Sequence, residues 1–181
     1  MNYLKELADK IHANSVNKGF WNTELSNEHC LCLVVSELIE AVEADRKQKY
    51  ADVESFKKDM NIYTPEDSPY TFEHLFYIYI KDSLQDEIAD AYIRLLDLVG
   101  ARKIEIDFDY KYPKFKGTFT ENIFRIITSL TNYKWNVSER INYALMGIES
   151  LAKSMNIDLI YHVELKMKYN ELRPYLHGKQ Y

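Results

Sequence analysis

The chain has 181 residues, 46% of them hydrophobic and 28% charged, which suits a soluble globular protein with one domain, residues 1–181, around a substantial core. A net charge of −5 argues against a general nucleic-acid binder, whose footprint is basic. With only 5 Gly and 4 Pro, the chain has little punctuation, which favours long helices over many short strands.

Residues 2–17 read as a short amphipathic helix with Leu4, Leu7, Ala8 and Ile11 on one side. The segment "NKGFWNTELS" breaks it, with Gly19 at the break. A long helix is expected over 27–48. Residues 49–70, charged and rich in Tyr with Pro65 and Pro69, read as an irregular insertion with room for a short helix. A second long helix is expected from about Thr71 to Val99, with Gly100 suited to its C-terminal cap. The run "KIEIDFDYKYPKFKG" alternates charge and aromatics and fits a short hairpin or an extended loop. Thr118 with Glu121 forms a capping box for a helix to about 132. Asn136 caps another to about 155, and Asp158 caps the last, which ends at Arg173 before Pro174. About six helices and little strand make the fold all-α, a helical bundle with a four-helix core and extra helices.

There is no charged start followed by a short apolar core, and no apolar run of about 18 residues. Neither a signal peptide nor a membrane span is expected, and the predicted location is cytoplasmic. Cys30 and Cys32 point to different faces of a predicted helix, so free thiols in a reducing compartment are expected.

Two stretches break the amphipathic pattern in the same way. "SELIEAVEAD" carries Glu37 and Glu40, and "DEIADAY" carries Glu87 and Asp90; in each pair the acids stand three apart and are followed by Ala. On a helical wheel Glu37 falls among Cys30, Leu33, Val34, Ala41 and Ala44, and Glu87 among Ile80, Leu84, Ala91 and Leu98. If the helices pack by these stripes, four carboxylates converge. Two carboxylates about 5 Å apart repel by roughly 3 kcal/mol at an effective dielectric near 20. Such a cluster needs protons, basic partners or a divalent cation. An all-oxygen set favours Mg²⁺ or Mn²⁺ over zinc, and a Mg²⁺ site of carboxylates suits phosphate chemistry. Arg94, four residues past Asp90, is either an ordinary i,i+4 salt-bridge partner or a phosphate contact. A single Glu-x-x-Glu usually marks a solvated helix face; the doubled motif in matched apolar surroundings argues for a site.

With Glu37-Leu-Ile-Glu40 on one helix and Glu87-Ile-Ala-Asp90 on the next, the chain resembles the MazG-type all-α nucleoside triphosphate pyrophosphohydrolases. The resemblance implies Mg²⁺-dependent cleavage of a (d)NTP between the α and β phosphates, with Glu37, Glu40, Glu87 and Asp90 as metal-binding and catalytic acids. "IHANSVNKGFW" looks like the family's upstream segment, which makes His12 and Trp21 the base-holding residues. "KMKYNELRPY" looks like its phosphate-binding segment, matched by Lys166, Asn170 and Arg173. On spacing alone those three are a polar helix face, and Trp21 is a packing residue. "HGKQY" resembles the tail of a MazG-like subgroup. Two departures stand out: a longer gap between Glu40 and Glu87, and Ser36 where many members carry another acid. Family members assemble as dimers or tetramers, so a homodimer or homotetramer is implied. The rival readings are a nucleotide- or metal-binding bundle without turnover, acting as a sensor, and a purely structural interaction module.

Overall fold

Eight α-helices account for most of the described part of the chain, residues 3–62, 68–107 and 115–178 of a computed structural model. In order they are α1 (Tyr3–Asn17), α2 (Asn27–Arg46), α3 (Val53–Met60), α4 (Ser68–Tyr79), α5 (Leu84–Arg102), α6 (Phe119–Leu130), α7 (Val137–Ser154) and α8 (Leu159–Leu172). A tight turn at Tyr175–Gly178 follows. No strand occurs among the described residues, so the fold is the expected all-α bundle. None of the described helices is long and apolar enough to cross a membrane.

Helix α5 is the centre. It buries residues on every side, among them Ile88, Ala91, Tyr92, Leu95, Leu96 and Leu98, as a helix inside a core must. Around it pack α2, α1, α8 and α7, with α2 making the most extensive contact. Helix α6 lies between α2 and α7.

The long helix expected from Thr71 to Val99 is in fact two. Asp82 takes a left-handed backbone (φ 56) and Ser83 becomes an N-cap, its hydroxyl accepting the Asp86 N–H at 3.2 Å. The Asp86 carboxylate in turn accepts the Asp82 N–H at 2.9 Å. These reciprocal bonds satisfy orphan donors at the new helix start. The break lets α4 fold back onto α3. Phe56, Phe72, Leu75, Phe76 and Ile80 form a second, smaller apolar cluster with Tyr169 of α8, whose ring stacks on Phe76 at 4.4 Å. The 49–70 segment therefore carries the short helix it had room for. It is stitched to the start of α5 by Leu84 N–H to Lys49 O and Ala51 N–H to Gln85 Oε1, at 2.9 and 3.0 Å.

Gly100 is not a cap. Helix α5 continues to Arg102, and Lys103 supplies the left-handed C-cap (φ 52). Gly100 instead admits α1: a Cβ there would lie 2.7 Å from His12 Cβ and 2.9 Å from Ala8 O. Gly100→Ala is therefore expected to lower stability by about 1–3 kcal/mol in denaturant unfolding, although Ala is the better helix former.

The predicted N-caps at Thr118, Asn136 and Asp158 are present, and Ser26 and Asp52 cap α2 and α3 in addition. Thr118/Glu121 and Asn136/Glu139 are both complete capping boxes, and Asp158 caps α8. Residues 104–107 are neither helix nor strand and are pinned by Asn142, which accepts the Asp107 N–H at 2.8 Å and donates to Glu105 O at 3.0 Å. The rest of the predicted hairpin or loop, 108–114, lies outside the described residues. Cys30 is buried, Cys32 is exposed, and both are free.

Candidate functional site

The apolar stripes of α2 and α5 pack together and carry their acids with them. Glu37, Glu87 and Asp90 each offer an oxygen within 4.8 Å of the others. Glu37 and Glu87 are both buried, and Asp90 is partly so. Glu40, one turn along α2, is exposed, yet near enough for its charge to add to the rise in the Glu37 pKa. Ser36 turns its hydroxyl to Leu33 O at 2.8 Å. Asp86, passed over in the sequence, joins the cluster at 1% exposure. With Asp82 and Glu87 it forms a second trio of oxygens within 4.8 Å.

Two cations reach Glu37, Asp86 and Asp90, while Lys81 and Lys49 pair with the exposed Asp82. Lys166 of α8 is buried, its Nζ 2.9 Å from Asp86 Oδ2 and 2.8 Å from Asp90 Oδ2. Burial opposes its charge, but Asp90 and Asp86 outweigh that and hold the ammonium protonated well above the usual lysine range. Arg94 donates from Nε and Nη2 to Glu37 Oε1, at 2.7 and 2.6 Å. Its ion pair with Glu37 thus runs across to α2. Four acids (Glu37, Asp86, Glu87, Asp90) against two bases leave a deficit of two positive charges.

That deficit appears in the titration of the acids. Burial, then the charges of Asp86 and Asp90, push Glu87 up to about 8. Burial and Asp90 also raise Glu37, against the pull of Arg94. The folded protein thus binds these protons more tightly than the unfolded chain. Stability from this source is full below about pH 4.5 and is lost as pH rises through about 8. In chelator, the melting temperature is expected to fall between pH 5 and 8, and Mg²⁺ should flatten the slope. A stability that rises across that window would contradict the clustering.

The donor set fits a hard divalent ion. Two oxygens on one Mg²⁺ lie at most about 4.2 Å apart, given bonds of about 2.1 Å, so oxygens within 4.8 Å need little movement to reach one. The buried Asp86 Oδ1 has no hydrogen-bond partner.

Beside the acids lies a cavity of about 510 Å³. Asp90, Arg94 and Asp97 line it from α5 as a polar stripe at i, i+4 and i+7. Phe20, Trp21, Leu25 and Leu33 give it apolar lining, and Asn170, Arg173 and His177 line it as well, the His177 ring packing edge to face on Phe20 at 5.0 Å. Asn170 is buried, and its Oδ1 has no hydrogen-bond partner. Of the three predicted phosphate contacts, Asn170 and Arg173 therefore reach the cavity, whereas Lys166 reaches the acids.

His12 and Trp21 meet, but through an intermediary the sequence did not disclose. Asp97 Oδ1 lies 2.7 Å from His12 Nδ1, and the Trp21 indole N–H donates to both Asp97 oxygens at 3.1 Å. The His12 and Trp21 rings pack edge to face at 5.2 Å. Trp21 lines the cavity, and His12 braces it from behind. The polar stripe through Asp90 and Arg94 was the signal that could have singled out Asp97.

The C-terminal turn packs against the Lys18–Gly19 segment. Leu176 N–H donates to Lys18 O at 2.9 Å, and Lys18 Nζ donates to Glu171 O and Arg173 O at 2.8 and 2.5 Å. Gly19 (φ 88) lies under the Tyr175 ring, where a Cβ would collide with it. Of "HGKQY", His177 and Gly178 are in this turn; 179–181 lie outside the described residues.

Compared with known proteins, the chain matches no family model, no curated protein and no solved structure.

Proposed function

We propose that this chain is a Mg²⁺-dependent pyrophosphohydrolase of MazG type, cleaving a (d)NTP to the (d)NMP and pyrophosphate. The observation that carries the reading is continuity: a carboxylate trio with a charge deficit adjoins, through Asp90 and Arg94, a nucleotide-sized cavity lined in part by Phe20 and Trp21. A volume of about 510 Å³ is within the usual range for small-molecule sites.

In this reading the base lies against Trp21, held in place by Asp97 and His12. Asn170 and Arg173 face the phosphates, Arg173 as a fixed cation and Asn170 through its amide. Glu37, Glu87 and Asp90, with Glu40 at the solvent edge, would hold the divalent cation. When bound, it supplies Lewis-acid polarisation of a phosphoryl oxygen and helps deprotonate water. An acid of the cluster orients the water that attacks the α-phosphorus. The bond from that phosphorus to the bridging oxygen breaks, pyrophosphate leaves with the bond's electron pair, and the water's proton passes to the acid and then to solvent.

One observation favours a second reading, a nucleotide-binding bundle without turnover. Lys166 and Arg94 already neutralise part of the cluster, as a structural ion network would. Incubation of purified protein with Mg²⁺ and a panel of (d)NTPs separates the two. Monophosphate and pyrophosphate above background support the enzyme. A rise in melting temperature with nucleotide but no product supports the sensor. Neither response leaves a structural module, and both readings fall.

A further inference from the structure

We propose that Lys166 is a resident cation that stands in place of a second divalent ion, so that the acid cluster binds one metal ion and not two. The inference rests on the functional reading above, in which Glu37, Glu87 and Asp90 hold a metal.

The acids alone would suit two ions. They fall into two trios, Glu37/Glu87/Asp90 and Asp82/Asp86/Glu87, which share Glu87. Lys166 bridges them, with one N–H···O contact to Asp90 of the first and one to Asp86 of the second, at 2.8 and 2.9 Å. Its side chain is buried, and its Nζ lies 5.8 Å from the centroid of the Phe76 ring. The apolar cluster of α3, α4 and Tyr169 therefore walls the ammonium in. An ammonium fixed on Asp86 and Asp90 repels a dication brought to the same oxygens, and in a buried site that repulsion is weakly screened.

Asp86 carries the second, independent observation. It is 1% exposed; Oδ2 is filled by Lys166 and by the Asp82 N–H, and Oδ1 has no hydrogen-bond partner. Without the ammonium, a buried carboxylate with an open oxygen remains beside Glu87 and beside Asp82, which pairs with Lys81 and Lys49 at the exposed edge, and these oxygens are the donor set a second hard cation takes. Asp86 is thus the positioning residue for Lys166, and Lys166 gives the cluster a permanent positive charge.

The test counts bound Mn²⁺ per chain by titration with electron paramagnetic resonance detection of the free ion. Wild type and Lys166→Arg are expected to bind one Mn²⁺, and Lys166→Met two. Two ions in wild type, or one in a folded Lys166→Met protein, overturns the proposal. If Lys166→Met does not fold, Lys166→Gln keeps a neutral polar group between Asp86 and Asp90 and removes only the positive charge. It is then expected to bind two Mn²⁺. One Mn²⁺ in folded Lys166→Gln overturns the proposal. Wild type that binds no Mn²⁺ and cleaves no nucleotide overturns the functional reading together with this one. Wild type that binds one ion and turns over, beside an unaltered Lys166→Met, overturns this one alone.

Discussion

Asp90→Asn is expected to lower pyrophosphate release by about a hundredfold or more, with the bundle still folded. Asp90 is the acid of the trio that also lines the cavity, so it touches both the metal position and the phosphates. Asn keeps the shape and loses the charge that a hard cation requires. Lys166 loses one of its two partners but keeps Asp86 at 2.9 Å, so the ammonium is not left uncompensated. The variant should therefore lose turnover with a modest fall in melting temperature, and its response to Mg²⁺ should weaken in parallel. Full activity in Asp90→Asn would refute the assignment of the acids.

Arg94→Met is the second large expectation. Arg94 pairs with Glu37, whose side chain is only 7% exposed. Removing one member of a buried pair strands the other, at a typical cost of about 3–5 kcal/mol. The loss should be larger at pH 8 than at pH 5, because Glu37, already raised by burial and Asp90, can take up a proton at the lower pH. Adding Glu37→Gln to Arg94→Met should recover much of the stability, since the stranded charge is then gone. Denaturant unfolding of the two single variants and the double variant measures this directly. Stability equal to wild type in Arg94→Met would mean that the pair does not hold α2 to α5.

What could be read from the sequence follows the range of the interactions. The convergence of Glu37, Glu87 and Asp90 was legible because helical spacing places each acid on the stripe by which its helix packs. The capping boxes were legible because they close within four residues. The break at Ser83 was not, because Phe76, Ile80, Leu84 and Ile88 keep helical spacing straight through it and mask the cap. That masking also hid Asp86, which has no assigned role on an unbroken helix from Thr71 to Val99. The fate of Lys166 was beyond local reading. With Asn170 and Arg173 it looks like a polar face, and its burial depends on Asp86, 80 residues away on another helix. Gly100 was misread for a related reason: what requires glycine there is α1, not the end of α5.

Hydrolysis of a (d)NTP in water enriched in heavy oxygen tests the central claim most directly, with Mg²⁺ in one arm and chelator in the other. Attack at the α-phosphorus predicts heavy oxygen in the monophosphate and none in the pyrophosphate, with turnover abolished by chelation. Heavy oxygen in pyrophosphate or in free phosphate, turnover that survives chelation, or no turnover on any nucleotide would contradict it.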